Sequence, residues 1–257
     1  MPYVLSGNCQ VYYEAIGNGF PLVLIHGLGT SHEMWYPQID AFKDHYRVIT
    51  LDCRGHGQSC SIDKDLKLED FAHDLAAVLR KEDIEKAAVC GISFGGIVAQ
   101  HFALEYPNFC AALILCDTFS EVSFIDSLGA RLQVPALKFL SREGLARMVA
   151  ADYNRKEWKA AREQLVKEVL NSRPKEVAQI RALINNVNIT QRLQEIRCPT
   201  LVLVGDRWKT LQKYAQIIVD AIHSSTMAVI DKACDPSSLT NPPAFNAKVE
   251  AFLQKHI

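Results

Sequence analysis

The stretch Val89-Cys90-Gly91-Ile92-Ser93-Phe94-Gly95-Gly96 constrains the fold more than any other part of the chain. It reads as a short apolar strand, a sharp Gly-x-Ser-x-Gly turn and a helix running from Ile97 to Tyr106. A strand that turns straight into a helix forces its corner residue into a strained backbone geometry. Side chains at Gly91 and Gly95 would collide there. Ser93 is therefore expected at the tip of the turn, at the positive N-terminal end of a helix.

Around this corner the chain alternates strands and helices. Val11–Ile16 and Leu22–Ile25 read as strands separated by the turn Gly17-Asn18-Gly19, and Arg47–Leu51 as a third. Apolar residues Phe71, Leu75, Val78 and Leu79 recur at helical spacing within Leu68–Lys81. The Ser93 strand and helix follow, then strands at Ala112–Cys116, Pro199–Val204 and Met227–Ile230. Asn241-Pro242-Pro243 opens a terminal helix, with Asn241 as its cap and proline in the first turn. Nearly continuous apolar strands alternating with helices predict an α/β fold, a mostly parallel sheet covered on both faces. Residues 120–197 carry helical patterns without an obvious strand. They read as a helical lid inserted into a core made of 1–119 and 198–257.

Composition narrows the function classes. In 257 residues, 49% are hydrophobic and 22% charged, as in a soluble enzyme with a well-buried core. The net charge of −1 and the lack of a basic run argue against nucleic acid or an anionic membrane as a partner. No signal-peptide pattern and no apolar run of transmembrane length is present. The eight cysteines show no Cys-x-x-Cys spacing, and several sit in apolar runs, which reads as buried free thiols in a cytoplasmic protein. Nothing points to a metal or an organic cofactor, and the expected partner is a small molecule.

Three motifs carry a resemblance: His26-Gly27-Leu28-Gly29-Thr30-Ser31-His32-Glu33-Met34-Trp35, Asp52-Cys53-Arg54-Gly55-His56-Gly57-Gln58-Ser59 and Cys90–Gly96. In order and spacing they resemble those of α/β-hydrolases, specifically the group of small lidded hydrolases that includes 3-oxoadipate enol-lactonase. Weaker similarity runs through Pro199–Asp206 to the terminal helix. The resemblance implies an α/β-hydrolase fold, Ser93 as nucleophile, and an oxyanion hole made by the amides of Leu28 and Phe94, with His26 beside it.

The same resemblance exposes two substitutions. The family's acid position, two residues past Gly205-Asp206, holds Trp208, and the Gly-His pair before the terminal helix is Cys234-Asp235. None of the histidines at 26, 32, 45, 56, 73, 101, 223 and 256 is an obvious base. Asp117, at a strand end, and Asp206 are alternative acids, but an acid without a histidine does little to activate a serine. Loss of the base costs a triad enzyme on the order of a millionfold in kcat. Oxyanion hole and binding alone retain roughly a thousandfold or more over water.

Three readings follow. The first is an enzyme of atypical, non-hydrolytic chemistry (cyclisation, proton transfer, elimination or carbon–carbon cleavage) on a small oxygenated substrate. Asp235 would then shuttle protons, its pKa raised by the apolar Trp208. The second is an ester or enol-lactone hydrolase with a displaced triad, and the third an inactive ligand-binding protein. The first is favoured, with Ser93 and Asp235 catalytic and His26, Trp208 and Cys234 against substrate. Cys234 as nucleophile lacks a visible histidine partner, and Trp208 favours a ring-containing substrate by stacking.

Overall fold

The computed structural model describes residues 2–123 and 141–257. Eight strands form one sheet: β1 (Tyr3–Ser6), β2 (Cys9–Ile16), β3 (Phe20–Ile25), β4 (Tyr46–Leu51), β5 (Ala87–Ile92), β6 (Cys110–Cys116), β7 (Thr200–Gly205) and β8 (Ser225–Ile230). Their spatial order is β1-β2-β4-β3-β5-β6-β7-β8. β2 is antiparallel to both neighbours, and the pairs from β4 to β8 are all parallel. β1 had no counterpart in the sequence reading. It is a short, largely exposed edge strand joined to β2 by a turn at Gly7, so it has little apolar pattern to betray it.

The described helices are α1 (Tyr36–Phe42), α2 (Leu68–Lys81), α3 (Phe94–Glu105), α4 (Arg142–Asp152), α5 (Lys159–Asn171), α6 (Pro174–Ile184), α7 (Lys209–Ala221) and α8 (Pro242–His256), with a single helical turn at Ser237–Thr240 before α8. Strand alternation divides the core into two layers. Val23, Ile25 and Val89 pack with Phe71, Leu75, Phe102 and Ile218 from α2, α3 and α7. Leu22, Leu24 and Cys90 pack on the opposite face with Phe42, Phe245 and Val249 from α1 and α8. α2 spans the residues its periodicity predicted, and Asn241 caps α8 by accepting from the Ala244 amide. α3 is buried along nearly its whole length, which places Ser93 at the centre of the fold.

Between β6 and β7 the chain forms α4, α5 and α6, with an isolated bridge Glu121–Asn188 and no sheet strand among the described residues. The remainder of the expected helical block, 124–140, lies outside the described residues. Two aromatic side chains of this block reach the loop after β8. The Tyr153 hydroxyl donates to the Asp235 carbonyl, and Trp158 Nε1 donates to the Lys232 carbonyl at 3.1 Å.

The cysteine reading needs one correction. Cys9, at the start of β2, and Cys60 form a disulfide, while Cys53, Cys90, Cys110, Cys116, Cys198 and Cys234 are free thiols. The Cys60 amide bonds the Gln10 carbonyl at 2.9 Å, which lays the loop after Ser59 alongside β2 and brings the two Cα atoms to 5.4 Å. Fifty-one positions separate the pair in sequence, so spacing could not reveal it. Among the described residues no helix is long and apolar enough to cross a membrane.

Candidate active site

Ser93 has φ of 54°, the strained corner expected between β5 and α3. Both flanking glycines are required by close approach. A Cβ at Gly91 would lie 2.1 Å from the Gly95 carbonyl oxygen, and one at Gly95 2.2 Å from that of Ile25. The corner is tied down by the Ser93 amide, which donates to the Cys116 carbonyl at 2.8 Å, and by Thr118 Oγ1, which donates to the Ser93 carbonyl at 2.7 Å.

The loop Gly27–Thr30 after β3 is held by a dense hydrogen-bond set. The Gly27 carbonyl accepts from His26 Nδ1, the Thr30 amide and Thr30 Oγ1. His26 Nε2 accepts from the Cys53 amide at 3.0 Å, and His56 Nε2 accepts from the Gly29 amide at 3.1 Å. Both rings must be neutral to accept in this way, and burial keeps them so, pushing His26 down and His56 down to about 3. This bracing fixes the loop that carries the Leu28 amide; Phe94, the first residue of α3, has an N–H with no partner within its helix, and Leu28 but not Phe94 is in the lining of the cavity beside Ser93.

Ser93, Leu28, Asp235 and Trp208 line a cavity of about 310 Å³. Val149, Tyr153, Leu165, Val169 and Arg181 of the helical block also line it. Trp208 is 45% exposed and sits at the mouth. None of the eight histidines, all of them described, lines this cavity. His26 is fully buried behind the loop as a brace, and His32 is bound to Asp52 at 2.8 Å. His45, His73, His223 and His256 are exposed, and His101 is buried within α3.

Asp235 interacts with the Ser93 hydroxyl, and its carboxyl is pushed well above the usual range by burial and then by the charge of Asp117. The rise expected from Trp208 has this different origin. Asp117 is buried at the end of β6, its Oδ1 accepting from the Gly205 amide at 2.9 Å and its Oδ2 from the Ser237 amide at 2.7 Å. Burial raises the Asp117 carboxyl too, against those hydrogen bonds. Asp117 therefore stands behind Asp235 rather than in the cavity lining. Asp206 accepts from the Ala233 amide and pairs with Arg207, and does not line the cavity either.

Two residues expected against substrate lie elsewhere. His26 and Cys234 are outside the cavity lining. Cys234 is buried, with its amide and carbonyl both bonded to Thr240 Oγ1. Burial and the neighbouring Asp235 push its thiol up to about 12, so it stays protonated and poorly nucleophilic. Sequence reasoning missed Tyr153 and Arg181. Both belong to the helical block, where no motif marks a site residue. Among the described residues no cluster of His, Cys, Asp or Glu is arranged to hold a metal ion.

Comparison with known proteins gives this geometry a setting. A family model described as alpha/beta hydrolase fold matches residues 21–131. The chain is 28% identical to (E)-2-((N-methylformamido)methylene)succinate hydrolase of Acinetobacter baylyi, over 97% of this chain and 96% of that protein. It is also 28% identical to 3-oxoadipate enol-lactonase 1 of the same organism, over 84% and 86% respectively. The crystal structure of the enol-lactonase from Burkholderia xenovorans LB400 shares the fold, with a TM-score of 0.88, 98% of this chain and 100% of that one covered, and 23% identity.

Proposed function

The chain belongs to the α/β-hydrolase superfamily, close to its enol-lactonase-like group, and within that scaffold we propose that it is an enzyme of non-hydrolytic chemistry, moving a proton at a carbon next to a carbonyl. The observation that carries this reading is Asp235, a carboxyl of raised pKa beside Ser93 in a cavity that no histidine lines. The family's catalytic histidine and acid are, in this reading, replaced by Asp235 and Trp208.

The substrate carbonyl oxygen sits between the Leu28 and Phe94 amides, where negative charge develops. Donors fixed in advance stabilise that charge without reorganising. Ionised Asp235 takes the proton from the adjacent carbon, the electron pair moves to the carbonyl oxygen as an enolate, and the proton returns to a different position or face. A carboxylate of ordinary pKa near ~4 is a weak base for carbon; burial and Asp117 move Asp235 toward the acidity of its substrate. Ser93 donates a hydrogen bond and forms no acyl intermediate. Helices α4–α6 serve as the lid that keeps water from the enolate. A soluble, cytoplasmic setting belongs to this reading as well, although the Cys9–Cys60 disulfide is of a kind more frequent in oxidising compartments.

A second reading, hydrolysis of an ester or enol-lactone, has the hydrolase relatives in its favour. One experiment separates the two. Intact-mass measurement after incubation with a fluorophosphonate, with Ser93→Ala as control, is expected to show no adduct. A stoichiometric adduct lost in Ser93→Ala moves hydrolysis to the front. In parallel, wild type is expected to exchange the α-protons of small ketones for solvent deuterium. Full exchange activity in Asp235→Asn would remove the proton-transfer reading.

A further inference from the structure

Cys110 and Cys198 are a second pair of neighbouring cysteines, and this pair is unbonded. Cys110 opens β6 and is buried; Cys198 lies in the link that returns the helical block to β7 and is partly exposed. Their sulfurs are in contact, 3.7 Å apart. The backbone already holds the two segments together, the Leu113 amide donating to the Pro199 carbonyl at 2.9 Å. Neighbouring strands run about 4.8 Å apart, inside the Cα separation that a disulfide spans, so side-chain rotation can bring the sulfurs to bonding distance. The two sulfurs also differ in the way that thiol–disulfide exchange requires. A thiolate on Cys198 accepts from the Cys110 thiol, which holds Cys198 below the ordinary thiol range and Cys110, buried as well, far above it. The readier nucleophile is thus the one that solvent reaches. Cys90 and Cys116 are nearly as close, at 3.8 Å, but both are fully buried, with no path for an oxidant.

We propose that Cys110 and Cys198 are a redox-active dithiol, which low-molecular-weight disulfides oxidise to a second disulfide of this chain. The Cys198 thiolate attacks one sulfur of glutathione disulfide and displaces a glutathione thiolate, leaving a mixed disulfide at Cys198. The Cys110 sulfur then attacks the Cys198 sulfur and displaces the second glutathione, which takes up the Cys110 proton. Two protein thiols lose two electrons, and glutathione disulfide gains them as two glutathione thiols. The new bond spans 88 positions, a loop that contains Asp117 and helices α4–α6. Cys110 stands at the N-terminal end of β6, whereas Asp117 follows its C-terminal end, on the edge of the sheet that carries Ser93. Oxidation therefore holds the inserted block against unfolding from the edge opposite the cavity.

The test treats the folded full chain with glutathione disulfide at neutral pH, quenches with excess N-ethylmaleimide in mildly acidic denaturant, and maps the peptides by mass. Wild type is expected to go from six free thiols to four, with Cys110 linked to Cys198 and both Cys90 and Cys116 alkylated. Its urea midpoint should rise by about 1 M. Cys110→Ser should stop at the mixed disulfide, with one glutathione on Cys198. Cys198→Ser, which removes the exposed member and leaves the core untouched, should keep all its remaining thiols. Wild type that retains six thiols, or that carries glutathione without the Cys110–Cys198 link, overturns the proposal. So does loss of thiols from folded Cys198→Ser. A link that forms and leaves the urea midpoint unmoved overturns its stabilising role.

Discussion

Asp117 accepts the amide of Ser237 at 2.7 Å, and Ser237 lies two residues past Asp235. One buried carboxyl thereby fixes the loop that presents another and raises its proton affinity. With Gly205 as its second donor, Asp117 also joins the ends of β6 and β7 to that loop. Asp117→Asn keeps one acceptor and turns an amide toward the other donor. It is expected to cost about 1–3 kcal/mol in urea denaturation. Removing the negative charge lowers the Asp235 pKa. The pH at which α-proton exchange reaches half its plateau should therefore move down. An unmoved pH profile would mean that the two carboxyls do not communicate.

Asp235 itself carries a stability signature. Its carboxyl holds a proton more tightly folded than unfolded. Between the unfolded value near ~3.9 and the folded one, the folded protein keeps the extra proton and loses stability as pH rises. Asp235→Asn has no charge to bury. It should match wild type below the unfolded value and exceed it increasingly across that window, by about 1.4 kcal/mol for each pH unit until the folded carboxyl has ionised. Urea melts of both proteins over the acidic to neutral range check this; a difference that does not vary with pH would place Asp235 in a water-like setting.

The Cys9–Cys60 bond closes a loop that contains β3, β4 and the Asp52–Ser59 segment. Thiol titration of the unfolded, unreduced chain should count the six free cysteines rather than all eight. Cys9→Ser is expected to cost about 2–4 kcal/mol, because the cross-link limits the unfolded chain. Eight titratable thiols would show the pair unbonded.

The Ser93 corner, α2 and the α8 cap were legible because each rests on a local rule: glycines at a forced turn, apolar spacing, a capping side chain. What escaped depends on contacts between distant segments. Cys60 meets Cys9 only through sheet geometry, and Asp117 acts through backbone amides that no side-chain pattern announces. Trp208 and Asp235 do share a cavity, as their motif positions implied, yet the Asp235 shift comes from burial and Asp117. Tyr153 and Arg181 sit on helices whose sequence follows helical packing alone, so their role emerges only when α4–α6 are folded over Ser93.

His56 touches both segments of the proposed oxyanion site. Its Nε2 accepts from Gly29, next to Leu28, and its ring stacks on Phe94 at 5.7 Å between centroids. His56→Ala would leave a void and an unpaired buried amide, an expected loss of about 2–4 kcal/mol. The ring's folded pKa of about 3 lies below the unfolded ~6.5. Its contribution is therefore complete above the unfolded value and declines as pH falls through the range between them, so the variant should be less acid-sensitive than wild type. Loosened amides would receive the developing charge less well, which predicts a fall in kcat of roughly tenfold or more with KM little changed. Steady-state exchange kinetics on a soluble, folded His56→Ala decide the matter. A change confined to KM would mean that His56 shapes binding and leaves the oxyanion geometry to His26 and Thr30.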